Sequence, residues 1–365
     1  MKIIYDSKNI FQFIKDYIAN FLSYELNVPF TKPWRINFDI TYKCPLKCKM
    51  CNIWKLRKNE KELSFQELRK IVDEAREWGI NHISLAGGEV LSEKEKSIKL
   101  IEYALSKGMR VDLITNGYYL DKKTSEMLLK MKINKISLSV DGAKKETHDF
   151  IRGKGTFERV MRTAKLLKKL KSKMNTNTEL EFTTVIMGYN FRELVEIFYL
   201  MRRLGFDYIT YQVVTPDNSF TSPLSYYENF YKSDFWIKKE EIPELEKIVK
   251  RLIALKKLTG QIRNTRGYLK RIPEYFKKKR KFYQGKCIVG FSYLNIDPYG
   301  NINLCGLGPN LNVKKMSLKK IYYSNEFKKT RTLIKHCKRP CLMLCYDKLN
   351  FFELLEAWLE VRGWI

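Results

Sequence analysis

Between residues 34 and 215 the chain alternates short apolar runs with stretches of helical spacing, six times over, with only short polar turns between them. The runs cover 34–40, 82–86, 109–115, 135–140, 180–186 and 208–214; helical spacing intervenes at about 64–78, 93–107, 123–131, 156–171 and 191–204. Strands joined through helices rather than tight hairpins run parallel, and a parallel sheet has to be covered on both faces. Local signals agree with this reading. Ser64 and Glu67 form a capping box at one helix start, and Gly79 and Gly108 stand where helices should stop. Six units fall short of the eight that close a barrel. The expected fold is therefore α/β, an incomplete (β/α)6 TIM-like barrel, with its chemistry at the carboxyl ends of the strands.

Those ends are where the chemically informative residues stand. Cys44-Pro-Leu-Lys-Cys48-Lys-Met-Cys51 follows the first strand, Gly87-Gly88-Glu89 the second, and Asn116 the third; Ser139-Val-Asp141-Gly142 closes the fourth. Three thiols at spacings of four and three can converge from one loop, but they supply three ligands where structural zinc or an ordinary iron–sulfur cluster takes four. An open coordination position is where chemistry happens.

The 365-residue chain is 44% hydrophobic and 30% charged, which suits a globular protein with a full core. No apolar run approaches the ~20 residues of a membrane span, and the start lacks a signal peptide's apolar region. Eight cysteines are then expected in a reducing, cytoplasmic setting, as metal or redox ligands rather than disulfides. The formal net charge is +29, which implies an anionic partner such as nucleic acid, a membrane surface or a phosphorylated substrate; the plainer reading is the residue usage of the source genome. Residues 8–26 carry Ile10, Phe13, Ile14, Tyr17, Ile18, Phe21 and Leu22 at helical spacing. That pattern suits a helix packed on the main domain, with a surface-seeking, membrane-peripheral helix as the alternative. A further helix is expected at 240–259, after a loop over 216–236 that crosses the barrel mouth. From Arg251 to Lys286 thirteen Lys/Arg face one acid, Glu274, with Tyr268, Tyr275, Phe276, Phe282 and Tyr283 interleaved. Such a run is usually a solvated face; the aromatics bring a phosphate- or membrane-contacting face into consideration.

Five more thiols fall within 59 residues: Cys287, Cys305, Cys337, Cys341 and Cys345. Residues 293–304 read as strand, tight turn at Gly300, strand, a hairpin that would draw its flanking thiols together. Four thiolates from a hairpin and a knuckle suit zinc as well as iron–sulfur, and spacing does not choose between them.

The combination of Cys44-x3-Cys48-x2-Cys51, Gly87-Gly88-Glu89, and Ser139-Val-Asp141-Gly142 followed by His148-Asp-Phe-Ile-Arg152-Gly-Lys-Gly155 resembles the radical S-adenosylmethionine (SAM) superfamily. Cys287-x12-Gly300-x4-Cys305 with the later cysteines resembles its SPASM/twitch branch, and together the likeness covers about 34–347. The resemblance implies that Cys44, Cys48 and Cys51 each bind one iron of a 4Fe–4S cluster whose fourth iron is chelated by SAM. Reductive cleavage of SAM would give a 5′-deoxyadenosyl radical that takes a hydrogen atom from substrate. It further implies that Gly87, Gly88 and Glu89 hold the SAM amino group, and that Asn116, Ser139 and Asp141 line the cofactor site. Arg152 would pair with the SAM carboxylate, and Met50 would lie near the adenine. Val90 stands where the family usually has proline. Five downstream cysteines are too few for two auxiliary clusters, so one auxiliary 4Fe–4S cluster is expected, held by Cys287, Cys305, Cys345 and one of Cys341 or Cys337.

The expected organisation is an N-terminal helical cap (1–33), a radical SAM partial barrel (34–236), a basic helical connector (237–286) and a cysteine-rich auxiliary-cluster domain with a C-terminal helix (287–365). Expected partners are SAM, an electron donor such as ferredoxin or flavodoxin, and an unidentified substrate, either a peptide or protein side chain or a cofactor precursor. The readings left beside this one are a membrane-surface enzyme acting on a lipid-linked substrate and a zinc-stapled basic protein that binds nucleic acid.

Overall fold

A computed structural model describes residues 7–215, 229–278, 286–337, 341–343 and 350–363. Six parallel strands, β1 (Arg35–Asp39), β2 (His82–Ala86), β3 (Arg110–Thr115), β4 (Lys135–Ser139), β5 (Glu179–Ile186) and β6 (Tyr208–Val213), stand side by side in sequence order. The register aligns Phe38 with Leu85, Leu85 with Leu113 and Leu138 with Phe182. The three middle residues of β2 and of β4 are buried, as expected of strands covered on both faces.

The covering helices begin and end where the chain signals it. α1 (Ile10–Leu26) is capped by Asn9, and α2 (Phe65–Glu77) opens on the Ser64–Glu67 capping box. α3 (Lys94–Ser106) and α4 (Lys122–Lys130) follow β2 and β3, and α6 (Thr156–Met174) and α7 (Leu194–Arg203) flank β5. A short helix, α5 (Lys145–Arg152), was not expected; it lies between β4 and α6 and ends on Arg152. The side chains of Phe38, Ile83, Leu113, Ile136 and Phe182 meet these helices in one core.

The sheet does not stop at β1. β7 (Tyr293–Ile296) pairs parallel with it, and β8 (Asn301–Leu304) and β9 (Leu307–Asn312) continue antiparallel, so nine strands run β6-β5-β4-β3-β2-β1-β7-β8-β9. The cysteine-rich segment is thus bonded directly onto the barrel sheet. The connector supplies α8 (Ile242–Thr259) and α9 (Arg266–Lys278), followed by α10 (Leu318–Tyr323), α11 (Asn325–Lys335) and α12 (Phe351–Val361). α1 docks on α12 through Phe13 and Trp358, whose rings lie 5.5 Å apart, in a small second core. Residues 216–228 of the expected mouth-crossing loop, and Cys345, lie outside the described residues.

Candidate active site

The cysteine loop leaves β1 at Ile40 and runs flush against the turn after β2. Gly88 N donates to Thr41 O and Glu89 N to Lys43 O, both at 2.8 Å. A Cβ on Gly88 would stand 2.4 Å from Lys43 O, and one on Gly87, whose φ is +121°, 2.6 Å from Thr41 O. The glycine pair is therefore required by the approach of two backbones. From the other side, α5 fastens the loop: Lys49 N donates to Ile151 O at 2.9 Å, and the Cys48 thiol reaches Arg152 O at 3.9 Å. Gly142 admits α5 to the end of β4, since a Cβ there would lie 2.6 Å from His148 N.

One cavity at the carboxyl ends of the strands is lined by all three thiols, Cys44, Cys48 and Cys51, together with Met50, Gly87, Gly88, Asn116, Ser139 and Arg152. Burial pushes the Cys44 thiol up to about 11; Cys48 and Cys51 are raised too, with the Arg152 guanidinium pulling the other way. The Asn116 side-chain amide donates to Cys44 Sγ at 3.7 Å.

Two residues expected against the cofactor are placed one layer behind the wall. The Glu89 carboxylate is fully buried and does not line the cavity; it accepts from Thr115 Oγ1 (2.7 Å), Asn116 N (2.8 Å) and Leu91 N (3.1 Å). Burial raises its pKa against the pull of those donors. Asp141 is likewise buried behind the wall. It accepts from Arg152 Nε at 2.6 Å and from Val185 N at 2.7 Å, while its own N–H donates to His148 Nδ1 at 3.3 Å. Arg152, expected as a free fork for a carboxylate, thus has its Nε committed to Asp141, although the residue still reaches the cavity wall. Burial pushes the His148 imidazole down to about 3, so it stays neutral, with Nδ1 as the acceptor.

Sequence reasoning missed other lining residues: Ile53, Trp54, Gln212, Val213 and Thr215. Gln212 left a signal, a long polar side chain near the carboxyl end of an apolar strand; Trp54 left none. Gln212 also ties the wall to the C-terminal cysteines, because its amide donates to Met343 Sδ at 3.4 Å. The Tyr268 hydroxyl does the same, accepting from Val213 N at 3.3 Å and donating to Leu342 O at 3.0 Å. Cys341 is buried beside that segment. Cys287 and Cys305 pack on the main core, and Cys337 is half-buried just beyond α11. Cys305 and Gly306, with φ of 58° and 62°, form the two-residue turn between β8 and β9.

Among the described residues no three His, Cys, Asp or Glu side chains stand close enough to hold one metal ion. Cys44, Cys48 and Cys51 nevertheless share one cavity. In a 4Fe–4S cluster each thiolate binds a different iron, so three thiols lining one cavity fit such a cluster with its fourth iron left open.

The model of the Radical SAM superfamily matches residues 38–201. Mycofactocin maturase MftC of Mycolicibacterium smegmatis is 27% identical over 174 residues, 47% of this chain and 43% of that protein. The AdoMet-dependent heme synthase of Methanosarcina barkeri is 30% identical over 175 residues, 47% of this chain and 48% of that protein. The matches thus span less than half the length of these relatives. Among solved structures, Streptococcus suis SuiB bound to the precursor peptide SuiA superposes with a TM-score of 0.64 at 14% identity, covering 90% of this chain and 73% of that one. Native anSMEcpe with bound AdoMet superposes with a TM-score of 0.61 at 19% identity, covering 91% and 97%. At those identities the likeness is one of fold. The cysteine loop, the glycine turn and the strand-end cavity all fall within or beside residues 38–201, the segment that is similar to the Radical SAM superfamily.

Proposed function

We propose that this chain is a radical SAM enzyme with one auxiliary iron–sulfur cluster. The observation that carries the reading is the meeting of three thiols, a glycine pair, Asn116, Ser139 and Arg152 around one cavity at the strand ends. Cys44, Cys48 and Cys51 hold a 4Fe–4S cluster, and SAM lies against Gly87, Gly88, Asn116, Ser139, Met50 and Arg152. Such a cluster, reduced by a donor such as ferredoxin or flavodoxin, would supply the electron for cleavage of SAM to a 5′-deoxyadenosyl radical, which would take a hydrogen atom from substrate.

The chain's own residues prepare that site. Asn116 donates toward the Cys44 sulfur, which stabilises a thiolate there. Glu89 holds Asn116 in place through the Asn116 backbone N–H. Asp141 neutralises Arg152 in part and fixes its orientation, leaving the far end of the guanidinium for an anionic group such as a carboxylate. Leu46, Ile53, Ile114 and Val185 exclude water from the cavity wall. Cys287, Cys305, Cys345 and one of Cys341 or Cys337 would hold the auxiliary cluster; the Gln212–Met343 and Tyr268–Leu342 contacts bring the segment beside Cys341 to the cavity wall. Names among the relatives, a mycofactocin maturase, a PqqA peptide cyclase and a heme synthase, point to a peptide side chain or a cofactor precursor as substrate.

The test is anaerobic reconstitution. The protein should bind about eight irons and convert SAM to 5′-deoxyadenosine under a strong reductant. Cys48→Ala should abolish that conversion while retaining about four irons. Undiminished 5′-deoxyadenosine formation by Cys48→Ala overturns the assignment.

A further inference from the structure

The helix α1 is apolar on two opposite sides, and the fold uses only one. Its inner side carries Phe13 and Tyr24, buried against Ile288, Phe291, Leu354, Ala357 and Trp358. Its outer side carries Ile10, Ile14, Ile18, Leu22 and Leu26, which recur every four residues and form one stripe. These are 38%, 37%, 49%, 39% and 57% exposed, Phe11 beside them is 81% exposed, and Val28 and Phe30 prolong the patch at 43% and 55%. A single exposed apolar side chain needs no explanation. Eight contiguous ones mark a surface that something covers.

The charges around the patch say what. Lys8 and Lys15 are exposed at its start. At its end Lys286 lies 4.4 Å over the Phe21 ring and pairs with Glu25, which neutralises the acid on that side. Lys335 Nζ donates to the Tyr24 and Glu25 carbonyls at 3.2 and 3.1 Å. The Asn27 amide bonds Thr332 Oγ1 at 2.8 Å, which sets α11, with exposed Lys328 and Lys329, alongside. Cations framing an apolar stripe, on a chain of net charge +29, repel a second copy and attract an anionic surface. Among the described residues no helix is long and apolar enough to cross a membrane. A 17-residue helix with this face has the length and the apolar side of one that lies in a bilayer interface.

We propose that the outer face of α1 docks on an anionic phospholipid bilayer, its Ile/Leu/Phe stripe at the headgroup–acyl boundary and its flanking lysines among the headgroups. The inference does not depend on the radical SAM chemistry and is tested without it. The full-length protein is sedimented with vesicles of phosphatidylcholine containing a minor fraction of phosphatidylglycerol, with pure phosphatidylcholine vesicles, and alone with its mass measured in solution. Binding is expected to the anionic vesicles, weaker at high salt and weaker on pure phosphatidylcholine. Phe11→Gln with Ile18→Gln should reduce partitioning about tenfold or more at unchanged circular dichroism and melting temperature. Lys8→Gln with Lys15→Gln, which leaves the apolar face intact, should weaken binding to the anionic vesicles alone. No sedimentation with anionic vesicles overturns the proposal, as does binding unaffected by either pair. A concentration-dependent dimer abolished by Phe11→Gln with Ile18→Gln, without vesicle binding, would assign the face to a second copy instead.

Discussion

At the scale of single residues, the Gly87-Gly88-Glu89 turn has a structural role beside the one its motif suggests. The glycines were expected beside a cofactor, and they do line the cavity, but the absence of side chains is also demanded by the cysteine loop behind them. Glu89 was expected to reach the cavity and instead braces Thr115 and Asn116. Nothing in one sequence separates a carboxylate facing a ligand from one facing the next turn, because both need the same residue at the same strand end. The distinction has a consequence. Gly88→Ala puts a methyl group 2.4 Å from Lys43 O, where backbone must move, and should part the glycine turn from the cysteine loop. We expect a stability loss of about 2–4 kcal/mol by denaturant titration, and a fall in iron retained after reconstitution. A variant of unchanged stability and full iron content would show that the two backbones can separate freely.

Elements were more legible than residues. Short apolar runs located all six barrel strands and helical spacing located the helices between them, since apolar residues recur wherever an element is covered by its neighbours. The short helix α5 was missed because Lys144 supplies no side-chain cap and eight residues show barely two turns of periodicity. The pairing of β7 with β1 was not legible either, for it joins Arg35–Phe38 to residues 293–296 and leaves no local trace. A third feature has no pattern at all. The far edge of β6 is closed by side chains acting as a strand: Asn264 Oδ1 accepts from Tyr211 N at 2.8 Å and its Nδ2 donates to Tyr211 O at 2.7 Å, with Gln261 O accepting from Ile209 N just before it. This protects an edge that would otherwise offer unpaired backbone groups. Asn264→Ala leaves a buried N–H and C=O without those partners and should cost about 2–4 kcal/mol. Amide exchange should then rise first at Tyr211 and its neighbours on β6. Uniform exchange across the sheet would place the loss elsewhere.

For the molecule as a whole, part of the basic run joins distant segments of the chain through ion pairs. Among the described residues, five of the cations between Arg251 and Lys286 pair with acids from distant segments: Lys256 and Arg266 with Glu360, Arg263 with Glu179, Arg271 with Glu353, and Lys286 with Glu25. Composition counts such charges without showing their partners, which is why a basic run alone carries so little. The converse case is an acid that gains nothing from the cationic excess. Asp39 closes β1 at the seam with β7, where its partner is the Asn295 amide at 3.3 Å. Burial pushes its carboxyl up to about 6 from the ordinary 3.8, with Asp297 adding to the rise and Asn295 opposing it. The folded state therefore holds this proton up to about pH 6 while the unfolded chain releases it near 3.8, so folding binds the extra proton only between those values. Stability from this group is fully present below pH 3.8 and is lost as pH rises through about 6. Asp39→Asn mimics the protonated form at every pH. It should be neutral near pH 4 and stabilising at pH 8 by on the order of 1–3 kcal/mol, the difference appearing between those limits. Paired unfolding curves of the two proteins across that range would check it, and a difference independent of pH would mean that Asp39 is already ionised throughout.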